Sequence, residues 1–360
     1  MEGSSVNLTS MTATAKLRSL LSQARDRAHL VVDVPRELAF MVPGLAYFGV
    51  TGQTPFRAYG SMRRLYGMTN GLSSEAVHAV IRRMRPTIAM DSTTGALGDM
   101  NGAYLEKVLQ SLDGDGYYVF EQHLSDETVD EIRRFALRTP CTPNGDPSIK
   151  PVLFDATTER ASTVYFRSED LVRCDPLRAL MLDRSMLALA QSFLRSQVVM
   201  DTPRMWWSTP GSGQPSSTGA QLFHVDIDRL RWLNFFFYLT DVDGDTGPHC
   251  YVRNSQRGKP LALQKDGRYS DADIASHYPD RSVEIGGRRG TIFVADTRGF
   301  HKGMMLRKGT RLLFQMVFAD SLFGQTYEAV HVAQDLAPDF SEVRHRFPYT
   351  YSSFVFPQTA

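Results

Sequence analysis

Phe223-His224-Val225-Asp226-Ile227-Asp228 is an apolar run that carries a histidine and a carboxylate two residues apart. In an extended strand, residues i and i+2 point to the same face. His224 and Asp226 are therefore expected to converge on one side, where both could ligate a single metal ion. Two such groups make only part of a site. The best third ligand is His301, which closes the run Gly290-Thr291-Ile292-Phe293-Val294-Ala295-Asp296-Thr297-Arg298-Gly299-Phe300-His301.

Two histidines and one carboxylate that leave coordination positions open are the ligand pattern of non-haem Fe(II) oxygenases. A barrel that sets distant strands side by side would bring such ligands together. The chain from Val198 onward reads that way. Short β-rich runs alternate with Gly/Pro/Asp turns: Arg204–Thr209, Gln221–Ile227, Arg231–Thr240, Cys250–Arg253, Ser282–Ile285, Thr291–Asp296 and Arg311–Phe318. This is the pattern of a sandwich or jelly roll. Arg311 opens the strand after His301 and could clamp a carboxylate bidentately. Arg307, in the connection before it, is the rival for that role.

Upstream, the reading is mainly helical. Residues 14–30 carry Leu17, Leu20, Leu21, Ala24 and Ala28 at helical spacing, and a surface helix is expected there. Residues 1–12 look disordered. Residues 35–72 are rich in Gly, Pro and aromatics and show weak periodicity. Leu38–Val50, broken by Pro43 and Gly44, reads as a buried segment or helix-turn. A helix starts at Ser73 and stops at Pro86, and its arginines favour the C-terminal dipole. Another begins at Asn101. Asp113-Gly114-Asp115-Gly116 is a turn signal. Tyr117–Glu121 then reads as a strand, and Ser125 caps a helix with Asp126 and Glu127 in its first turn. Asp175-Pro176 starts a helix expected to run to about Arg195. Residues 258–281 read as a polar insertion with a short helix, and 327–360 as an aromatic tail packing back. The expected organisation is a helical extension over 1–110, a β-barrel domain over 111–326 and a tail over 327–360.

With 360 residues and 42% hydrophobic content, a large core is affordable. A net charge of +1 gives no sign of a nucleic-acid partner. The three cysteines (Cys141, Cys174 and Cys250) are sparse, odd in number and without a CxxC pair, which points to reduced thiols in a cytoplasmic compartment. Met1–Leu17 lacks the apolar core of a secretory signal. Leu38–Val50 is shorter than the ~20 apolar residues needed to span a bilayer. A soluble protein is expected; its oligomeric state is not readable.

His224-x-Asp226, Tyr238-Leu239-Thr240-Asp241-Val242, the segment Thr246–Ser255, His301 and Arg311 together resemble the phytanoyl-CoA dioxygenase family of Fe(II)/2-oxoglutarate oxygenases. Tyr117–Phe120 and the Ser125 helix resemble that family's first strand and helix. The resemblance covers about 114–320. It implies a mainly β fold with flanking helices, built on a double-stranded β-helix (a cupin-like jelly roll). It implies that His224, Asp226 and His301 bind Fe(II) and that Arg311 holds the far carboxylate of 2-oxoglutarate. It also implies hydroxylation of an unactivated C–H bond in a small molecule, with release of succinate and CO2. The chain departs from the family at Gly303, where a serine often assists the arginine, and at Val225, where glutamine is common. Asp226 fills the place that halogenases of this family leave open for halide.

Asn234, Phe236, Tyr238 and Thr240 share one face of their strand. On that face Asn234 and Tyr238 could contact 2-oxoglutarate, as could Gln221; satisfied core polar groups are the alternative. Trp206 and Trp207 alternate faces, and Trp207 is taken as the substrate-facing one, with Arg298 as a contact for an anionic substrate. His249 is the alternative third ligand, with a structural or substrate-facing role preferred. Two further functional readings stay open: a catalytically inactive metal-binding jelly roll, and a cupin-type metalloenzyme without cosubstrate.

Overall fold

The computed structural model describes residues 13–210 and 220–357, with side chains described outside 13–31. Its centre is two facing antiparallel sheets. In chain order the strands are β1 Tyr117–His123, β2 Thr163–Tyr165, β3 Arg204–Ser208, β4 Trp232–Tyr238, β5 His249–Val252, β6 Ser282–Ile285, β7 Thr291–Ala295, β8 His301–Gly303 and β9 Arg311–Ala319. The large sheet runs β1-β7-β4-β9-β3-β2 and is extended by the short strand Thr142–Pro143, with Val199–Met200 beside β9. The small sheet runs β6-β5-β8. This is the jelly-roll architecture expected from the strand pattern, with helices flanking it.

Strand alternation sorts the side chains into layers. On β9, Leu312, Phe314, Met316 and Phe318 enter one apolar core, together with Leu233, Phe235 and Phe237 of β4. Helices α4 (Gly102–Gly114) and α5 (Asp126–Arg138) cover that face. So do α6 (Asp175–Met181), α7 (Arg184–Leu194) and Phe340, Phe347, Tyr351 and Phe354 of the tail. The opposite faces of the same strands meet the small sheet around Phe236, Tyr238, Tyr251, Phe293 and Leu313.

A third layer lies outside the small sheet. Helices α1 (Ala13–Thr51), α2 (Phe56–Met68) and α3 (Leu72–Met84) precede the barrel. Met41, Ala58, Met62, Leu65 and Tyr66 from α1 and α2 share one buried cluster with Phe223, Val225, Ile227 and Leu230. The stretch that carries His224 and Asp226 is therefore packed on its odd-numbered side by the helical extension.

Several expectations need correction. Gln221–Ile227 is not a strand. Only single bridges hold it, Phe223 to Tyr269 and His224 to His301. Residues 35–72 are almost entirely helical: α1 runs through Pro35 and Pro43, and much of Leu38–Val50 is exposed. The helix expected from Asp175 to about Arg195 is two helices. Asp183 breaks it and caps α7, its side chain accepting from the Met186 N–H at 3.0 Å. Helix α4 crosses the expected boundary at residue 110 with Val108 and Leu112 in the large-sheet core. The disorder expected over 1–12 and the apolar stripe over 14–30 lie outside the described residues and side chains. Among the described residues no helix is long and apolar enough to cross a membrane.

Candidate metal centre

His224, Asp226 and His301 come together although 301 lies far down the chain, because backbone bridges join their segments. The His224 N–H donates to the His301 carbonyl at 3.0 Å, and the His301 N–H donates back to His224 at 3.0 Å. The Asp226 N–H donates to the Thr297 carbonyl at 3.0 Å. One ligand atom from each of the three side chains lies within 4.8 Å of the others. His224 Nε2 is 3.6 Å from Asp226 Oδ1, and His301 Nε2 is 3.5 Å from Asp226 Oδ2.

The tautomers are set locally. His224 Nδ1 faces the Leu222 carbonyl at 2.9 Å, and His301 Nδ1 faces the Gly299 carbonyl at 3.0 Å. A carbonyl only accepts, so each Nδ1 carries a proton, and each Nε2 is the ring nitrogen turned toward the shared space. Burial, then the neighbouring His301, pushes His224 down to about 3, against the pull of Asp226. Burial raises the Asp226 carboxyl, but His301 and His224 outweigh it and hold the group below its ordinary range. A neutral His224 and an ionised Asp226 are forms a divalent metal requires. The donor set, its convergence and its tautomers fit an octahedral non-haem iron with open positions.

Sequence reasoning missed the residue beside the carboxylate. Thr297 accepts the Asp226 N–H on its carbonyl, and its hydroxyl helps hold the Asp226 carboxyl low. The hydroxyl oxygen accepts from Trp232 Nε1 at 2.7 Å and from the Asn234 amide. Asn234 in turn accepts from Gln315 Nε2 at 2.9 Å. Such outer partners fix ligand orientation. Asn234 lies on the cavity wall, but its amide is spent on Thr297 and Gln315.

The three ligands open into a cavity of about 190 Å³ between the sheets. Arg311 lines it and is buried, with 6% exposure. Its guanidinium donates to the Gly247 carbonyl and to Ser208 Oγ, the latter at 3.1 Å, while its Nε has no partner. Among the described residues no carboxylate faces it. Burial pulls its pKa below the usual arginine range, a pull that Tyr238 and Tyr165 partly oppose. Arg307 is exposed and paired with Asp245 at 3.6 Å, away from the cavity. Gly303 lines the cavity, and a Cβ there would sit 3.7 Å from Arg311 Nη2. The hydroxyl beside the guanidinium belongs to Ser208, on another strand.

The remaining candidates separate. Tyr238 is not on the cavity wall: its hydroxyl donates to the Ile285 carbonyl at 2.6 Å and accepts from the His249 N–H at 3.0 Å. Gln221 is buried but does not line the cavity. His249 stands outside the ligand cluster. Its ring stacks on His301 with centroids 5.3 Å apart, and its buried Nε2 has no partner on the cavity wall. Trp207 is the tryptophan that turns away. It pairs across from Leu312 and stacks on Phe154 at 4.5 Å, so Trp206 lines the cavity in its place. Arg298 also faces elsewhere, into a second cavity, bound to Asp296 and to Glu75 of α3.

A scan against family models matches the phytanoyl-CoA dioxygenase (PhyH) family over residues 112–305. No curated protein matches the chain. Among solved structures the chain is similar to the non-haem α-ketoglutarate-dependent epimerase SnoN from nogalamycin biosynthesis, at 17% identity and a TM-score of 0.44, covering 61% of this chain and 84% of that one. It is similar to EctD from S. alaskensis with 2-oxoglutarate and 5-hydroxyectoine, at 17% identity and a TM-score of 0.43, covering 65% and 79%. It is also similar to HygX from Streptomyces hygroscopicus with nickel and 2-oxoglutarate bound, at 17% identity and a TM-score of 0.44, covering 62% and 89%. The chain belongs to the phytanoyl-CoA dioxygenase family, whose metal and cosubstrate are Fe(II) and 2-oxoglutarate.

Proposed function

We propose that this protein is an Fe(II)- and 2-oxoglutarate-dependent oxygenase that hydroxylates an unactivated C–H bond of a small molecule. The observation that carries the reading is the cavity's pairing of two unmet demands. Three convergent ligands ask for a divalent metal, and a buried guanidinium without a carboxylate partner among the described residues asks for an anion. A dicarboxylate that chelates the metal at one end satisfies both.

In this reading His224, Asp226 and His301 hold the iron. Arg311 Nε and Nη2, with Ser208 Oγ beside them, bind the far carboxylate of the cosubstrate. Charge-assisted bonds of this kind are stronger in a dry site than in water. His249 stands on the cavity wall with a buried Nε2 that has no partner among the described residues; burial, then His301 and Arg311, keeps its pKa well below the ordinary value, so the ring is neutral. Thr297 keeps Asp226 aimed. The aromatic walls, Phe236 and Trp206, exclude water. Bound iron with 2-oxoglutarate supplies the oxidising power, converting the cosubstrate to succinate and CO2 while one atom of dioxygen enters the substrate.

Asp226 supports oxygen insertion over halogenation, because its carboxylate occupies the position a halide would need. The test is succinate release by anaerobically Fe(II)-loaded protein given 2-oxoglutarate and oxygen, with the visible band of the Fe(II)–cosubstrate complex as a binding signal. Turnover, even without primary substrate, is expected. Absence of both succinate and the band would remove the reading.

A further inference from the structure

On the reading of this cavity as an oxygenase chamber, we propose that Arg204, Trp206 and Tyr165 form its primary-substrate subsite, and that the substrate carries an anionic group on a flat, apolar body.

The argument begins with strand β3. Arg204, Trp206 and Ser208 alternate along one face, and both Arg204 and Trp206 line the cavity. Ser208 sits at the Arg311 end, paired across from Arg311, while Arg204 is paired across from Gln315. The strand therefore carries the cosubstrate clamp at one end and a second cation at the other.

The other charged groups of the cavity are occupied. Asp201 accepts from Arg229 Nε at 2.9 Å. Asp228 accepts from the Tyr59 hydroxyl at 3.1 Å and lies 3.7 Å from Arg63, which is itself paired with Asp266. Asp226 is spent on the metal, and Arg311 is assigned to the cosubstrate. Arg204 alone is exposed, and its side chain makes no hydrogen bond or close ion pair among the described residues, although its charge reaches Asp226 and Asp228 across the cavity and favours the ionised form of both.

Beside it stands an aromatic shelf. Tyr165 and Trp206 lie with ring centroids 5.6 Å apart at 31°, half-buried, both on the cavity wall. A guanidinium takes a carboxylate or phosphate bidentately. Offset aromatic faces take a planar apolar body. The two features adjoin on neighbouring strands, so one ligand can use both while its remainder reaches toward the metal.

The test uses anaerobic protein loaded with Fe(II) and saturating 2-oxoglutarate, with calorimetric titration of 2-naphthoate and of 2-naphthylmethanol, its neutral counterpart. Naphthoate is expected to bind about tenfold or more tightly than the alcohol. Arg204→Gln should reduce naphthoate to the alcohol's affinity and leave the alcohol within about twofold. Trp206→Ala should weaken both. Equal affinities for acid and alcohol, no saturable binding of either, or an Arg204→Gln change shared by both would overturn the proposal. The visible Fe(II)–2-oxoglutarate band is read in the same samples. A missing band with intact acid selectivity overturns the oxygenase reading alone, and a normal band without selectivity overturns the subsite alone.

Discussion

Replacing Arg311 with methionine separates binding from stability. The side chain is buried with 6% exposure and donates to the Gly247 carbonyl and to Ser208, with no carboxylate opposite it among the described residues. Losing those two bonds costs about 1–3 kcal/mol in all. Removing an uncompensated buried charge returns several kcal/mol of desolvation. Metal-free Arg311→Met should thus be as stable as the parent, or more so. Its cosubstrate binding should collapse. Loss of two charge-assisted hydrogen bonds to the far carboxylate is worth about 3–5 kcal/mol, which raises the Kd for 2-oxoglutarate roughly 100- to 5,000-fold. Calorimetry on the Fe(II)-loaded protein measures the second effect. Chemical denaturation measures the first, with and without 2-oxoglutarate at a hundred times the parent's Kd, where the parent gains about 2.7 kcal/mol and the variant at most about 0.4 kcal/mol. A variant that binds 2-oxoglutarate within threefold of the parent would refute the clamp. A ligand-free variant less stable by more than about 3 kcal/mol would refute the claim that the charge stands uncompensated.

Asp226→Asn keeps the shape of the carboxylate and removes its charge; iron affinity should fall by more than about 100-fold, the upper range for losing an outer partner alone, as measured by competition with a chelating dye. Gly303→Ser restores the family's hydroxyl where a Cβ has 3.7 Å of clearance to Arg311, and should tighten 2-oxoglutarate by up to about tenfold in the same titration. Lys259 is buried, with its ammonium 3.2 Å from the Tyr66 hydroxyl; burial, then the charge of Arg298, pushes it down to about 7 against the pull of Asp296. Above that pH the unfolded chain binds the extra proton, so stability should rise with pH between about 7 and 10.5 by roughly 1.4 kcal/mol per unit at most. Lys259→Met should flatten that difference in urea melts.

Much of the barrel was legible because its signals are local. Alternation and apolar runs marked β4, β6, β7 and β9 to within a residue or two, and Ser125 caps α5 as expected, accepting from the Thr128 N–H at 3.2 Å. The convergence of His224, Asp226 and His301 was readable from residue type and spacing, although the segment carrying the first two is held by isolated bridges and is not the strand expected there. What escaped depended on register and on distant chain. Trp206 and Trp207 are equivalent in sequence. Only the pairing of Leu313 with Trp206 and Leu312 with Trp207 decides which one faces the cavity. Arg298 looked free beside His301 because nothing nearby announces Glu75, which reaches it from α3. Ser208 could not be recognised as a neighbour of Arg311, since only the pairing of their two strands puts its hydroxyl against the guanidinium. The weak periodicity of residues 35–72 hid two helices whose apolar sides are divided between solvent and the small sheet.

The segment that holds His224 and Asp226 is joined to its neighbours by bridges rather than by a ladder, and its odd side chains are gripped by Met62, Leu65 and Tyr66 of α2. The helical extension is therefore a splint. Trimming the chain at residue 110 to isolate a minimal barrel would strip apolar cover from Phe223, Val225, Ile227 and Leu230. It would leave a sticky face on one side and slack ligands on the other. Damage in helices remote from the iron would then register first as a loss of metal.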